Sequence, residues 1–298
     1  MRRSLGKKPT KQRRQSEPSH PTKAQTKVIG RTGELTQLGQ MIRLSRHILI
    51  EGPVGVGKTF LVKQVLDADS RSYHRVDGDT RYTEQKLTGW FDPPLVLKKG
   101  YSAASFIDGP LVTAMRRGEI LFINELNRMP EAVQNILLPA MDEHQLVLPR
   151  LGQIQAKPGF AIIATQNPKE FTATHALSEA LLDRFEMIRL EYQTKEEELA
   201  ILQLSAGTVP KAILARALDL VRATRRHSAI KRGASVRAAM AIVILVEGGM
   251  GFEDASLAAL PSRIEMISSE EDPRAIIREL LNSPDFPTLD EKKKELSY

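Results

Sequence analysis

Cysteine is absent from the 298 residues. That excludes disulfides, thiol nucleophiles and thiolate metal sites, and fits a reducing cytoplasm or a hot habitat. Aromatic residues are scarce at 5%, with a single tryptophan, Trp90. The chain also lacks a long apolar run. The longest, Ala238 to Val246, is far short of the roughly 20 residues that span a bilayer, so no membrane association is expected. The six histidines (His20, His47, His74, His144, His175, His227) show neither H-x₃-H nor H-E-x-x-H spacing, and none is assigned a metal. The net charge of the body is small too. Nine of the basic residues and one acid, Glu17, fall within residues 1–27, so this arm carries +8 of a net +7 and leaves the remainder at −1. A near-neutral body argues against a basic nucleic-acid face on the folded part. Nucleic acid could engage only the arm, by counterion release. No apolar segment follows the arm, so no secretory signal is expected.

What is present is glycine in a particular place. The apolar run His47-Ile48-Leu49-Ile50 reads as a buried strand, and Phe60 to Leu66 as a helix. Between them lies Gly52-Pro53-Val54-Gly55-Val56-Gly57-Lys58-Thr59, the G-x-x-x-x-G-K-T spacing of a phosphate-binding loop. The glycines allow tight turns that aim successive amide N–H groups at a polyphosphate. The helix N-terminus adds to that field. Lys58 supplies a mobile cation for the β- and γ-phosphates, and the Thr59 hydroxyl is a candidate Mg²⁺ ligand. The pattern predicts a nucleoside triphosphate and Mg²⁺ as cofactors.

Strands are expected at Tyr73–Gly78, Ile120–Ile123, Phe160–Ala164 and Met187–Tyr192. Helices are expected at Glu34–Leu44, Thr80–Leu87, Asp108–Arg117, Glu131–His144 (with Pro130 at N1 and a kink at Pro139) and Leu177–Arg184. Residues 88–107 read as an irregular excursion, and residues 145–159 as a hairpin. Alternating strands and helices predict an α/β fold with a parallel sheet covered on both faces. After Tyr192 the pattern turns helical, opened by the capping pair Thr194 and Glu197, with no strand expected. The division is therefore a disordered basic arm over 1–26, an α/β nucleotide-binding domain over 27–192, a small all-α lid over 193–282, and a charged tail over 283–298.

Two further strand ends carry polar groups toward the same edge. Ile120–Ile123 leads into Asn124-Glu125. Glu125 could orient or deprotonate a water, whereas Asn124 stands where Asp is usual. Its amide oxygen can accept from a Mg²⁺-bound water but brings no charge. The strand 160–164 leads into Thr165-Gln166-Asn167-Pro168, and Asn167 could hydrogen-bond the attacking water. Arg184 and Arg237 are candidates to stabilise γ-phosphate charge.

In this order the motifs resemble the AAA+ ATPases, and within them the MoxR family. The resemblance runs from Val28 to Met250. It rests on Val28-Ile29-Gly30-Arg31, the loop 52–59, Leu121 to Arg128, Ile163 to Pro168, Leu181 to Phe185 and Gly233 to Ala238. It implies that Val28 and Ile29 line an adenine pocket. It further implies that Asn167 is sensor 1, that Arg184 is a finger reaching a neighbour's nucleotide, and that Arg237 is sensor 2. The hairpin 145–159 matches a pre-sensor insertion, and the excursion 88–107 faces clients or a pore. The resemblance implies a homo-oligomer, a hexameric ring, with chaperone-like action on a client such as a von Willebrand factor A-domain protein. Two other classes compete: a non-hydrolysing ATP-dependent assembly switch, suggested by Asn124, and a DNA- or RNA-acting motor.

Overall fold

The structure is a computed structural model that describes residues 28–167, 175–205, 209–284 and 286. The expected basic arm, Pro168 and nearly all of the charged tail lie outside these residues. Five parallel strands form the central sheet: β1 (Ile48–Glu51), β2 (Tyr73–Asp77), β3 (Ile120–Asn124), β4 (Ala161–Gln166) and β5 (Glu186–Arg189), in spatial order β2-β3-β4-β1-β5. Side chains alternate between the two faces, so the central strands β1, β3 and β4, covered on both, are largely apolar, whereas the edge strands β2 and β5 carry exposed charged residues. Ile48, Ile50, Phe122 and Ile163 pack on one face against Leu38, Ile42, Val62 and Leu66 of the helices Thr32–Arg43 and Lys58–Ala68. Leu49, Leu121, Ile123 and Ile162 pack on the other, against Leu111, Met115, Leu137 and Met141. With both faces covered, the polar loops at the carboxyl ends of the strands share one edge, and the site lies there.

Several elements differ from expectation, each for a local reason. The helix expected from Thr80 begins only at Glu84. Asp79 accepts from the Arg81 N–H at 2.7 Å and holds a turn instead, and Thr83 caps the helix through the Lys86 N–H. Residues 88–107 are regular, with strands Gly89–Phe91 and Phe106–Asp108 enclosing a helix Pro93–Lys99. The prolines sit in that helix's first turn, where their missing N–H costs nothing, and Asp92 caps it by accepting from Leu95. Within this hairpin Phe91 packs edge-on to Tyr101 and Phe106, while Trp90 remains 45% exposed. The helix expected over 131–144 divides into Glu131–Asn135 and Leu137–Asp142. Pro139 cannot donate to the carbonyl four residues earlier, that of Asn135, and the break falls there. Pro130 is the N-cap rather than the first helical residue. Of Leu177–Arg184 only Glu179–Leu182 is helical, capped by Ser178 and tightened at its end into three-residue bonds that turn the chain into β5. The 145–159 hairpin pairs Gln145–Leu148 with Gly152–Gln155.

Beyond β5 the helices Lys195–Ser205, Lys211–Thr224, Val236–Glu247, Phe252–Ala259 and Pro273–Asn282 enclose their own core around Leu218, Val221, Ile242 and Ile277. The Thr194–Glu197 capping pair forms in both directions. The region is not purely helical: Ile230–Arg232 pairs antiparallel with Glu265–Met266. Strands of three and two residues fall below any periodic signal.

At the opposite end of the sheet from the polar loops, His47 precedes β1 and lies buried against Phe160 and His144. Its Nδ1 accepts from the Ile162 N–H at 3.0 Å. Burial, reinforced by His144, pushes its pKa from 6.5 down to about 4. The stability His47 contributes is therefore complete above 6.5 and is lost as pH falls towards 4, because only the unfolded chain takes up the proton in that window. The loss over the window is on the order of 3 kcal/mol. Denaturation midpoints should fall more steeply between about pH 7 and about pH 5 for the wild type than for His47→Asn. Parallel pH profiles would remove His47 as the cause.

Candidate nucleotide site

The loop 52–59 joins β1 to the helix Lys58–Ala68, whose N-cap is Gly57. Gly55 (φ 83°) and Gly57 (φ 91°) hold the left-handed conformation that turns the amides inward. A Cβ at Gly52 would collide with the Leu190 carbonyl, and one at Gly55 with the Ser235 side chain. Pro53 and Val54 carry the chain over the loop, and Lys58 Nζ donates to the carbonyls of Gly52 at 2.6 Å and Pro53 at 2.9 Å. A nest of amides at the start of an 11-residue helix, beside a lysine, fits a polyphosphate. Alongside the loop is a cavity of about 300 Å³ lined by Val28, Ile29, Val56, Phe60, Ile201 and Met240, with Arg237 at its wall. Its apolar sides suit a flat heterocycle. Val28 and Ile29 line this cavity, and Arg237 reaches it from the first turn of the helix Val236–Glu247.

The ends of β3 and β4 meet this loop. Asn124 Oδ1 accepts from the Thr59 hydroxyl at 2.7 Å and from the Thr165 hydroxyl at 3.1 Å. Its Nδ2 donates to Asp77 Oδ1 at 2.9 Å. Thr59 and Asn124 offer oxygen donors, the kind that suits Mg²⁺. Asp77 and Thr165 were not among the residues singled out from the sequence. The sequence marks Asp77 only as the acidic end of the run Tyr73 to Asp77, and its place beside β3 comes from the sheet. Glu125 follows in the left-handed conformation (φ 60°, ψ 54°), its N–H donating to Thr165 Oγ1 at 2.9 Å and its carboxylate paired with Arg128 at 2.9 Å. Asn167 is 3% exposed at the end of β4, and its carbonyl accepts from Asn127 Nδ2.

Arg184 lies elsewhere. It pairs with Asp142 at 2.5 Å and donates to the Ala180 carbonyl. The hydrogen bond that Arg184 donates to the Asp142 carboxylate holds its pKa above the usual guanidinium value. It lines a separate cavity of about 740 Å³ that shares no residue with the one beside the loop.

Residues 47–185 match the model of the AAA domain, dynein-related subfamily. A protein of Staphylococcus saprophyticus is 30% identical over 204 residues, covering 66% of this chain and 77% of the relative. The chain belongs to this family of AAA domains, the dynein-related subfamily. The gas vesicle ATPase GvpN of Ancylobacter aquaticus is 30% identical over 215 residues, 66% of this chain and 60% of GvpN. The chain spans 58% to 60% of the length of several curated relatives it matches. A RuvB mutant structure from Thermotoga maritima superposes with a TM-score of 0.53 at 18% identity, covering 87% of this chain and 72% of that one, and supports the fold alone.

In this AAA domain the helical region is tied to the loop through a buried charge cluster. Glu198 is 3% exposed and holds Arg222 and Arg225, each at 2.7 Å. Arg225 stacks over Tyr192 at 3.9 Å and donates to the Ala234 carbonyl, and the Ala234 N–H is held by Thr224. The next residue, Ser235, abuts Gly55. The cluster thus sets the position of Ser235 and Arg237 over the loop. Glu198→Ala would leave two arginines without their counter-charge and should cost about 3–5 kcal/mol in urea denaturation. A cost below about 1 kcal/mol would mean that the arginines find water instead.

Proposed function

We propose that this chain is a MoxR-like ATPase that hydrolyses Mg·ATP to remodel or mature a client protein or complex. One observation carries the reading. The loop after β1, Asn124-Glu125 after β3 and Asn167 after β4 converge at one sheet edge, beside a cavity that Arg237 lines. In this reading residues 27–192 are the nucleotide-binding domain and 193–282 the lid. Val28 and Ile29 hold adenine. The loop amides and Lys58 hold the phosphates, and Thr59 and, through water, Asn124 hold the metal. When bound, Mg²⁺ would offset the charge of the β- and γ-phosphates. Glu125 orients and deprotonates the attacking water, Asn167 fixes that water, and Arg237 reports nucleotide to the lid.

The likeness to GvpN, named a gas vesicle ATPase, supports hydrolysis. Arg184 acts from a neighbouring copy, which makes the working unit a homo-oligomeric ring, a hexamer by family resemblance. A von Willebrand factor A-domain protein is the client class to test first, with the hairpin 89–108 and its exposed Trp90 as the client-facing element. Among the described residues no helix is long and apolar enough to cross a membrane, and a cytoplasmic location suits an ATP-driven protein. Any nucleic-acid contact belongs to the basic arm.

The test is phosphate release from ATP by the purified protein, with Mg²⁺ and with EDTA. Metal-dependent release is expected. ATP binding without release would instead favour the assembly switch, and absence of nucleotide binding would overturn both readings.

A further inference from the structure

In the AAA domain described above, the strand end facing the P-loop offers an amide, Asn124, where a charged metal-side group would be useful. We propose that Asp77, at the end of the neighbouring strand β2, supplies the negative charge that the metal site lacks at Asn124. The inference rests on the Mg·ATP reading.

The register of the sheet places Asp77 directly opposite Asn124. The hydrogen bonds then fix which way the amide faces. A carboxylate can only accept, so Nδ2 must point to Asp77, at 2.9 Å. Oδ1 is thereby turned to the Thr59 and Thr165 hydroxyls, at 2.7 Å and 3.1 Å. Both hydroxyls donate to it, leaving the lone pairs of Thr59 for a cation. Asp77, Asn124 and Thr59 form a relay in which a carboxylate polarises an amide whose oxygen accepts from the metal-side hydroxyl. Hydrogen bonds in such a chain strengthen one another, and a bond to a charged acceptor is stronger than a neutral one.

The backbone holds this arrangement. The Gly78 N–H donates to the Asn124 carbonyl at 2.7 Å, and a Cβ on Gly78 would collide with the Glu125 carbonyl. The turn after Asp77 therefore lies flush against Asn124-Glu125 and admits only glycine. One group opposes the effect. Arg75 pairs with Asp77 at 2.6 Å, yet both side chains are well exposed, 39% and 59%. Water screens the Arg75 charge, so it offsets the carboxylate only in part. Asp77 acts as a positioning and charge-supplying residue one hydrogen bond behind the metal-side groups.

The readout is metal enhancement: the affinity for ADP in Mg²⁺ divided by that in EDTA, measured by calorimetry on the full chain, with Mn²⁺ electron paramagnetic resonance as an independent measure of metal binding. Asp77→Asn should lower the enhancement about tenfold, the scale of one altered charge interaction, and leave ADP affinity in EDTA unchanged. Arg75→Gln should raise it. The double variant Asp77→Asn/Asn124→Asp, which exchanges acid and amide between the two strands, should restore it. Asp77 is exposed, so Asp77→Asn should fold, and circular dichroism checks this. Unchanged enhancement in Asp77→Asn, or equal weakening with and without metal, would overturn the proposal while the Mg·ATP reading stands. A wild type that binds no ADP in either condition would overturn both.

Discussion

Arg184→Ala should bind ATP almost as the wild type does and hydrolyse it about 10³–10⁵ times more slowly, the range an arginine finger contributes. The geometry behind this is a separation. Arg184 sits at the end of the one-turn helix Glu179–Leu182, against Asp142, and lines a cavity that shares no residue with the one beside its own P-loop. A group so placed serves a nucleotide only if another copy brings one to it. The Asp142 pair holds the guanidinium at the rim until then, and exchanging that partner for phosphate costs little because the pair is partly exposed. Mixing supplies the test. Lys58→Ala has a damaged pocket and an intact finger, and Arg184→Ala the reverse. Rings containing both should regain part of the activity that neither shows alone. Mixed rings that form and remain inactive at every ratio would place Arg184 outside the reaction.

Much of this site was legible because phosphate binding needs particular residues at fixed spacing. Gly55 and Gly57 must take positive φ and Lys58 must follow, so eight residues announce the loop. Residues read by strand position, such as Glu125 and Asn167, were also accessible, since a buried apolar run tells where its polar end emerges. Asp77 was not, because its importance lies in lateral register. Nothing along the chain says that β2 lies beside β3, so Tyr73 to Asp77 looked like an ordinary strand with a polar end. The Glu198 cluster was hidden for a related reason. Glu198 lies in a run of three glutamates, which as a sequence reads as a solvated face, and only the packing of two helices makes it 3% exposed. The helix Glu131–His144 was half legible. Its periodicity is correct, but where Pro139 would interrupt it depends on the carbonyl at Asn135.

Glu125→Gln should lose about 10²–10⁴ in turnover, the contribution of a general base, while retaining ATP. The same residue offers a separate test of how the site is built. Glu125 adopts φ 60° and ψ 54°, a left-handed conformation uncommon for a residue with a Cβ. That conformation swings the carboxylate off the line of β3, towards Arg128 at 2.9 Å, and brings the Glu125 N–H onto Thr165. Strain of this kind costs on the order of 1 kcal/mol and persists only where surrounding contacts enforce it. Glu125→Gly, which removes the strain together with the carboxylate, should therefore be more stable than the wild type by about 1 kcal/mol. It should be as inactive as Glu125→Gln. Glu125→Gln retains the Cβ and the strain, so its stability should match the wild type within about 0.5 kcal/mol. Urea denaturation of the three proteins separates the effects. If Glu125→Gly is no more stable than Glu125→Gln, the contacts of Arg128 and Thr165 fully offset the backbone strain. The left-handed turn would then be favoured locally rather than held for catalysis.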